Sequence, residues 1–91
     1  MGCVDKELEA FVFERLSAAR QGQKTALYDL GLLYSAGQGV EKNNIEAYKF
    51  FNLAARRGLK RAKVDLHDVS KIMKGTEIKE AKQKCKDWLH L

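Results

Sequence analysis

The side chains able to do chemistry are few and far apart. The chain holds two histidines, His67 and His90, two cysteines, Cys3 and Cys85, and twelve carboxylates spread over 91 residues. Asp65 and Asp68 flank His67, which raises an acid–base pairing. On a helix, however, neighbours one or two residues apart point in different directions, so the three do not converge. A cysteine–histidine nucleophile would need Cys85 to meet His67 or His90. Cys85 instead falls on an apolar stripe with Ile78, Ala81 and Trp88, where burial raises a thiol's pKa and quiets it. Cys3 and Cys85 stand at opposite ends of the chain with no CxxC pair and no histidine cluster, so they read as free thiols without a zinc site or disulfide framework. The carboxylates are scattered, mostly at helix starts where they favour the helix dipole, and no pair suited to general acid–base work stands out. Gly37 and Gly39 lack the following Lys-Ser/Thr of a phosphate-cradling loop. The expectation is a non-catalytic chain with no metal ligands, no cofactor and no small-molecule substrate.

Charge is more informative. The net +5 divides unevenly, because residues 1–48 carry five basic and seven acidic side chains and residues 49–91 carry twelve and five. Basic groups concentrate at Arg56, Arg57, Lys60, Arg61 and Lys63, and again at Lys71, Lys74, Lys79, Lys82, Lys84 and Lys86. Such a half can meet phosphates or an acidic protein surface. The second run follows the polar face of an amphipathic pattern, where lysine is an ordinary solubilising choice. A protein partner with an acidic surface is therefore the first expectation, and a nucleic-acid-binding module using residues 56–86 is the alternative.

These side chains must be carried by a small scaffold. Ninety-one residues allow one domain with one modest core. A 45% hydrophobic content argues against disorder, and the absence of proline favours uninterrupted helices over a sheet with many turns. The expected fold class is all-α. No stretch approaches the roughly 20 apolar residues of a membrane span, and the charge density of residues 4–20 speaks against a signal peptide, so a cytoplasmic protein is expected. Met1-Gly2-Cys3 suggests acylation, but Lys6 stands where the myristoylation pattern wants Ser or Thr, and an ordinary start is preferred.

Periodicity supplies five short antiparallel helices. Between Asp5 and Arg20, Leu8, Phe11, Val12, Leu16 and Ala19 recur at helical spacing, with Gly22 beyond them. A second helix begins at Lys24, carries Ala26, Leu27, Leu30, Leu33 and Tyr34, and ends at Gly37. Asn43 caps a third, with Glu46 completing a capping box; it carries Ile45, Ala47, Tyr48, Phe50, Phe51 and Ala54 and stops at Gly58. A fourth runs from Leu59 to Met73 through Ala62, Leu66, Val69 and Ile72. Gly75 closes it, and Thr76 caps a fifth whose stripe is Ile78, Ala81, Cys85, Trp88 and Leu89. None is long enough to be stable alone.

The chain also repeats itself. Ala18-Ala19-Arg20-Gln21-Gly22 returns as Ala54-Ala55-Arg56-Arg57-Gly58 at an offset of 36, and the same offset carries Ala26 to Ala62 and Leu30 to Leu66. That is the period of a helix-turn-helix solenoid. Paired alanines allow close helix crossing, and Gly31, which costs about 1 kcal/mol in an exposed helix, is expected where another helix lies against its backbone. The run Ala26, Leu30-Gly31, Tyr34, Gly37, Gly39-Val40, then Asn43, Ala47, Phe50, Ala54-Ala55 and Gly58 resembles one complete Sel1-like repeat. The family pattern is A-x-x-x-L-G-x-x-Y-x-x-G-x-G-V followed by D-x-x-K-A-x-x-W and A-A-x-x-G. Asn43, Glu46 and Phe50 replace its Asp, Lys and Trp, which are mild departures. On this resemblance residues 24–58 form the complete repeat. Residues 8–22 are similar to the second helix of a degenerate preceding one, residues 59–74 to the first helix of a following one with His67 in place of the helix glycine, and residues 76–90 to a C-terminal capping helix.

The resemblance implies an α/α solenoid related to tetratricopeptide repeats and a role as a protein-binding adaptor or scaffold, a role found mostly in bacterial proteins. Cys3 and Cys85 do not fit the disulfide-per-repeat form of the family, so that form and its penicillin-binding activity are set aside. In a solenoid the first helices of successive pairs line the concave side. Helices 2 and 4 would then share a groove, making Tyr28, Asp29, Leu32, Lys63, His67 and Lys71 candidate contacts, joined by Arg56, Arg57 and Arg61 from the basic half. Tyr34, Phe51 and Trp88 are expected in the core, with Tyr28 and Tyr48 on the groove. One complete repeat falls short of the about three that stacks need, so the fifth helix or a larger assembly is expected to compensate.

Overall fold

A computed structural model describes residues 6–90; the Met1-Gly2-Cys3 start lies outside the described residues. Five helices follow one another with no strand among the described residues: α1 (Lys6–Arg20), α2 (Lys24–Ala36), α3 (Asn44–Arg56), α4 (Lys60–Ser70) and α5 (Gly75–Leu89). Their ends are set locally. Gly37 takes the left-handed conformation at φ 69° and gives its N–H to the Leu33 carbonyl, which stops α2. The Asn43 side chain accepts from the Ile45 and Glu46 amides at 3.0 and 3.1 Å, which starts α3. The return bond expected of Glu46 is replaced by ion pairs, because its carboxylate takes Lys49 at 2.8 Å and Lys84 of α5 at 3.5 Å.

Two boundaries differ from the sequence expectation. Helix α4 stops at Ser70, short of Met73. Beyond it the Ile72 and Met73 amides bond back three residues, to Val69 and Ser70, so the chain tightens and turns. Met73 is thereby carried into the core while Ile72 is left 68% exposed. Helix α5 starts at Gly75, which is therefore no helix stop, and Thr76 lies inside its first turn. The capping role falls to Glu77, whose carboxylate accepts from the Lys74 amide at 2.8 Å.

Helix α3 is the central element. It packs against α2, α4 and α5, while α1 joins through α2. Seven of its thirteen residues are buried, so it has little solvent face to spare. One core cluster gathers Val12, Leu27, Leu30, Phe50, Leu53 and Cys85; the other gathers Ala47, Tyr48, Phe51, Val69, Met73 and Ala81. Tyr34 stacks on Phe50 with centroids 5.7 Å apart, and Trp88 meets Phe50 edge-on at 5.4 Å, which ties α2, α3 and α5 through one aromatic column. Tyr48, expected on an exposed groove, is buried in the second cluster. Phe11, one of the apolar residues that set the helical spacing of α1, is 42% exposed. The close approach expected at Gly31 is made by the Phe51 ring: a Cβ there would sit 2.5 Å from its Cδ1 and Cε1.

Candidate functional site

The groove expected between α2 and α4 exists, but its residues and charge differ from the expectation. Tyr28 donates its hydroxyl to Asp65 Oδ2 at 2.6 Å, and the Arg61 guanidinium lies 5.5 Å from the Tyr28 ring centroid. That hydrogen bond is the main reason the Tyr28 pKa stands above its ordinary value, with burial second. Asp29 is taken by Arg15 of α1 at 3.5 Å. Tyr28, Asp29 and Arg61 thus fasten helices to one another. The groove beside them encloses about 220 Å³ between Leu32, Phe51 and Ile72, with Asp65, Asp68 and Lys42 on its walls. Of the expected contact residues it includes Leu32, while Lys63 and His67 on α4 and Lys71 just past its end lie exposed outside it. Its charge is acidic on balance.

A larger cleft, about 690 Å³, opens where the C-terminal ends of α1, α3 and α5 meet the start of α2. Its apolar lining is Leu27 and Leu53, both deeply buried, with Trp88 and the 54% exposed Leu89 beside them. Arg20, Arg56 and Arg57 supply its charge. Two of these were expected as contacts; Arg20, Trp88 and Leu89 were not. The signal for Arg20 was present in the repeat, since it occupies the position 36 residues before Arg56. No local signal announces Trp88 and Leu89, because they arrive through the docking of α5 on α3.

Why the arginines remain available follows from the backbone around them. Carbonyls at a helix C-terminus ordinarily attract basic side chains. Here Ala18 and Ala19 accept from Gln21, Gly22 and Gln23 amides, and Ala54 and Ala55 from Arg57, Gly58 and Leu59 amides. These four carbonyls have backbone partners, and none of the three arginines forms an ion pair among the described residues. Arg57 is also seated by a glycine. At Gly22 the backbone has φ 86°, and a Cβ would lie 2.5 Å from Arg57 Nη2, so the residue that ends α1 also leaves room for the guanidinium.

The reactive groups lie elsewhere. The Cys85 thiol is 1% exposed; it accepts from Asn52 Nδ2 at 3.4 Å and donates to the Lys49 carbonyl at 3.6 Å, and burial pushes its pKa up. Lys49, which pattern alone did not single out, is buried with its ammonium on Glu46, 4.3 Å from the Phe50 ring centroid and 5.1 Å from that of Trp88. Among the described residues no three His, Cys, Asp or Glu side chains come together to hold a metal ion, and no helix is long and apolar enough to cross a membrane.

Contacts between helices recur near the sequence period: Tyr28 meets Asp65 37 residues on, and Lys49 meets Cys85 36 residues on. Helices stacked at a fixed offset define a helical-repeat protein of the α/α solenoid class. Residues 24–59, which make up α2, α3 and the turns that bound them, match the family model described as the Sel1 repeat. Such repeats generally mediate contacts between proteins. A search of the curated proteins gives no match to the chain.

Proposed function

We propose that the chain is a non-catalytic, cytoplasmic adaptor or scaffold module that holds another protein in the cleft formed by the ends of α1, α3 and α5. The observation that supports this most is the make-up of the cleft: a leucine floor, an indole wall and three guanidinia, with no nucleophile, acid and base aimed at a common point. Tryptophan and arginine are the residues that most often anchor protein interfaces. On the same reading α1 is the second helix of a preceding repeat, α4 the first of a following one, and α5 the cap that closes the stack. Crosslinking capture from the native host's lysate tests the proposal, using wild type beside Arg20→Glu/Arg56→Glu at matched circular dichroism. A partner held by wild type and lost by the variant is the expected result; equal capture by both would remove the cleft from the function.

A second reading, nucleic-acid binding, is favoured by Lys79, Lys82 and Lys86, which lie exposed on one stripe of α5. Phosphate contacts strengthen steeply as salt falls. Absence of any mobility shift with DNA or RNA at about 50 mM salt, within the range over which that dependence is felt, would dispose of it.

A further inference from the structure

We infer that the cleft takes an acidic peptide segment bearing one bulky apolar side chain, with carboxylates on Arg20, Arg56 and Arg57 and the apolar group against Trp88 and Leu89, above the buried Leu27 and Leu53. The inference rests on the reading of the cleft as a protein-binding surface and adds the chemistry of what it holds. Charge complementarity is the first argument. Three guanidinia face one cleft, and none is neutralised by a carboxylate among the described residues. A guanidinium is weakly hydrated and matches a carboxylate through two parallel hydrogen bonds, so it is suited to a partly dry site.

The lining and the volume supply the second argument. About 690 Å³ exceeds what a lone ion would fill and lies within the range of clefts that enclose a ligand. A free phosphate would engage the arginines and leave the apolar surface of Trp88 and the 54% exposed Leu89 uncovered. Single-stranded nucleic acid is ordinarily held on a row of aromatic platforms, and this cleft has one indole above leucines, a slot for a side chain. A basic segment would meet three like charges. The ligand that satisfies both the floor and the rim is anionic and apolar at once.

Trp88 is the chain's one tryptophan, so intrinsic fluorescence reports occupancy of the cleft directly. The probe is an acetylated, amidated peptide with glutamates on both sides of a leucine, titrated beside one with lysines for the glutamates and one with alanine for the leucine. The glutamate–leucine peptide is expected to saturate and to weaken as salt screens the arginines. Alanine for leucine is expected to weaken binding about tenfold or more, from the loss of buried methyl and methylene groups. Arg20→Glu/Arg56→Glu is expected to abolish binding of the glutamate peptide and to admit the lysine peptide, a gain that a misfolded variant cannot produce.

A wild-type protein that binds the lysine peptide as well as the glutamate peptide would overturn the inference, as would displacement of the glutamate peptide by oligothymidine. The two levels of the proposal fail separately. Cleft-dependent capture of a partner, with no binding of the glutamate–leucine peptide, sinks the ligand chemistry and leaves the adaptor. Peptide binding with no cleft-dependent partner supports the ligand chemistry and removes the adaptor.

Discussion

Gly31 and Gly75 answer to opposite physics. A Cβ at Gly31 would press on the Phe51 ring at 2.5 Å, while at Gly75 nothing lies within 4 Å and the backbone φ is not positive. Alanine gains about 1 kcal/mol over glycine inside a helix, and overpacking a filled core costs about 1–3 kcal/mol. Gly31→Ala is therefore expected to lower stability and Gly75→Ala to raise it by up to about 1 kcal/mol in urea denaturation. Stabilisation by both would show that Phe51 yields freely.

The tyrosines carry a pH dependence whose sign follows from their surroundings. All three phenols titrate above their ordinary value, Tyr28 chiefly through its bond to Asp65, Tyr34 and Tyr48 chiefly through burial, and the buried Cys85 thiol is raised as well. A pKa raised by folding means that the unfolded chain gives up its proton first, so deprotonation favours unfolding. The contribution is fully present below the ordinary pKa values, about 8.5 for a thiol and about 10 for a phenol, and is lost as pH rises through the folded ones. The urea midpoint is expected to hold up to about pH 8.5, soften as the thiol titrates and fall above about pH 10. Tyrosinate absorbance should rise late, together with unfolding; a normal titration near pH 10 with helicity intact would contradict the burial described.

At the scale of the helices, the caps show what sequence made legible. The sequence offers both Asn43 and Thr76 as helix caps, but the first is bonded to two amides and the second sits in a turn already held by Glu77. Asn43→Ala is expected to cost about 1 kcal/mol, whereas Thr76→Ala should change stability by less than about 0.5 kcal/mol; equal losses in denaturant would put the cap back on Thr76. The helices themselves, the break at Gly37 and the crowding at Gly31 were readable because each rests on residues within a turn or two, or on the repeat. The end of α4 was not, since Ile72 and Met73 are both apolar and periodicity does not tell which one the turn carries inward. The cleft was half legible. Its arginines stand in the repeated Ala-Ala-Arg string, but its indole wall depends on α5 reaching back to Phe50, a pairing that no local pattern encodes.

For the whole molecule the question is whether a repeat protein of this size comes apart piece by piece. Solenoids whose repeats touch neighbours alone can unfold from their ends. This chain has a radius of gyration of 12.5 Å, close to the about 12 Å of a packed domain of its length. Its two clusters share α3, which gives Phe50 and Leu53 to one and Tyr48 and Phe51 to the other, while Tyr28 and Tyr34 pack against both. Losing either cluster strips one side of α3, so neither half is stable without the other. Phe50 is the sharpest probe: it is 1% exposed and joins Tyr34 to Trp88. Phe50→Ala is expected to remove about 3–5 kcal/mol, a large share of the roughly 5–14 kcal/mol that about 0.05–0.15 kcal/mol per residue allows. If α3 binds the fold into one unit, far-UV circular dichroism and Trp88 fluorescence will shift together to lower urea and stay superimposed. A fluorescence transition that moves ahead while helicity persists would mean that α5 detaches alone, and the cleft would then open and close with that one helix.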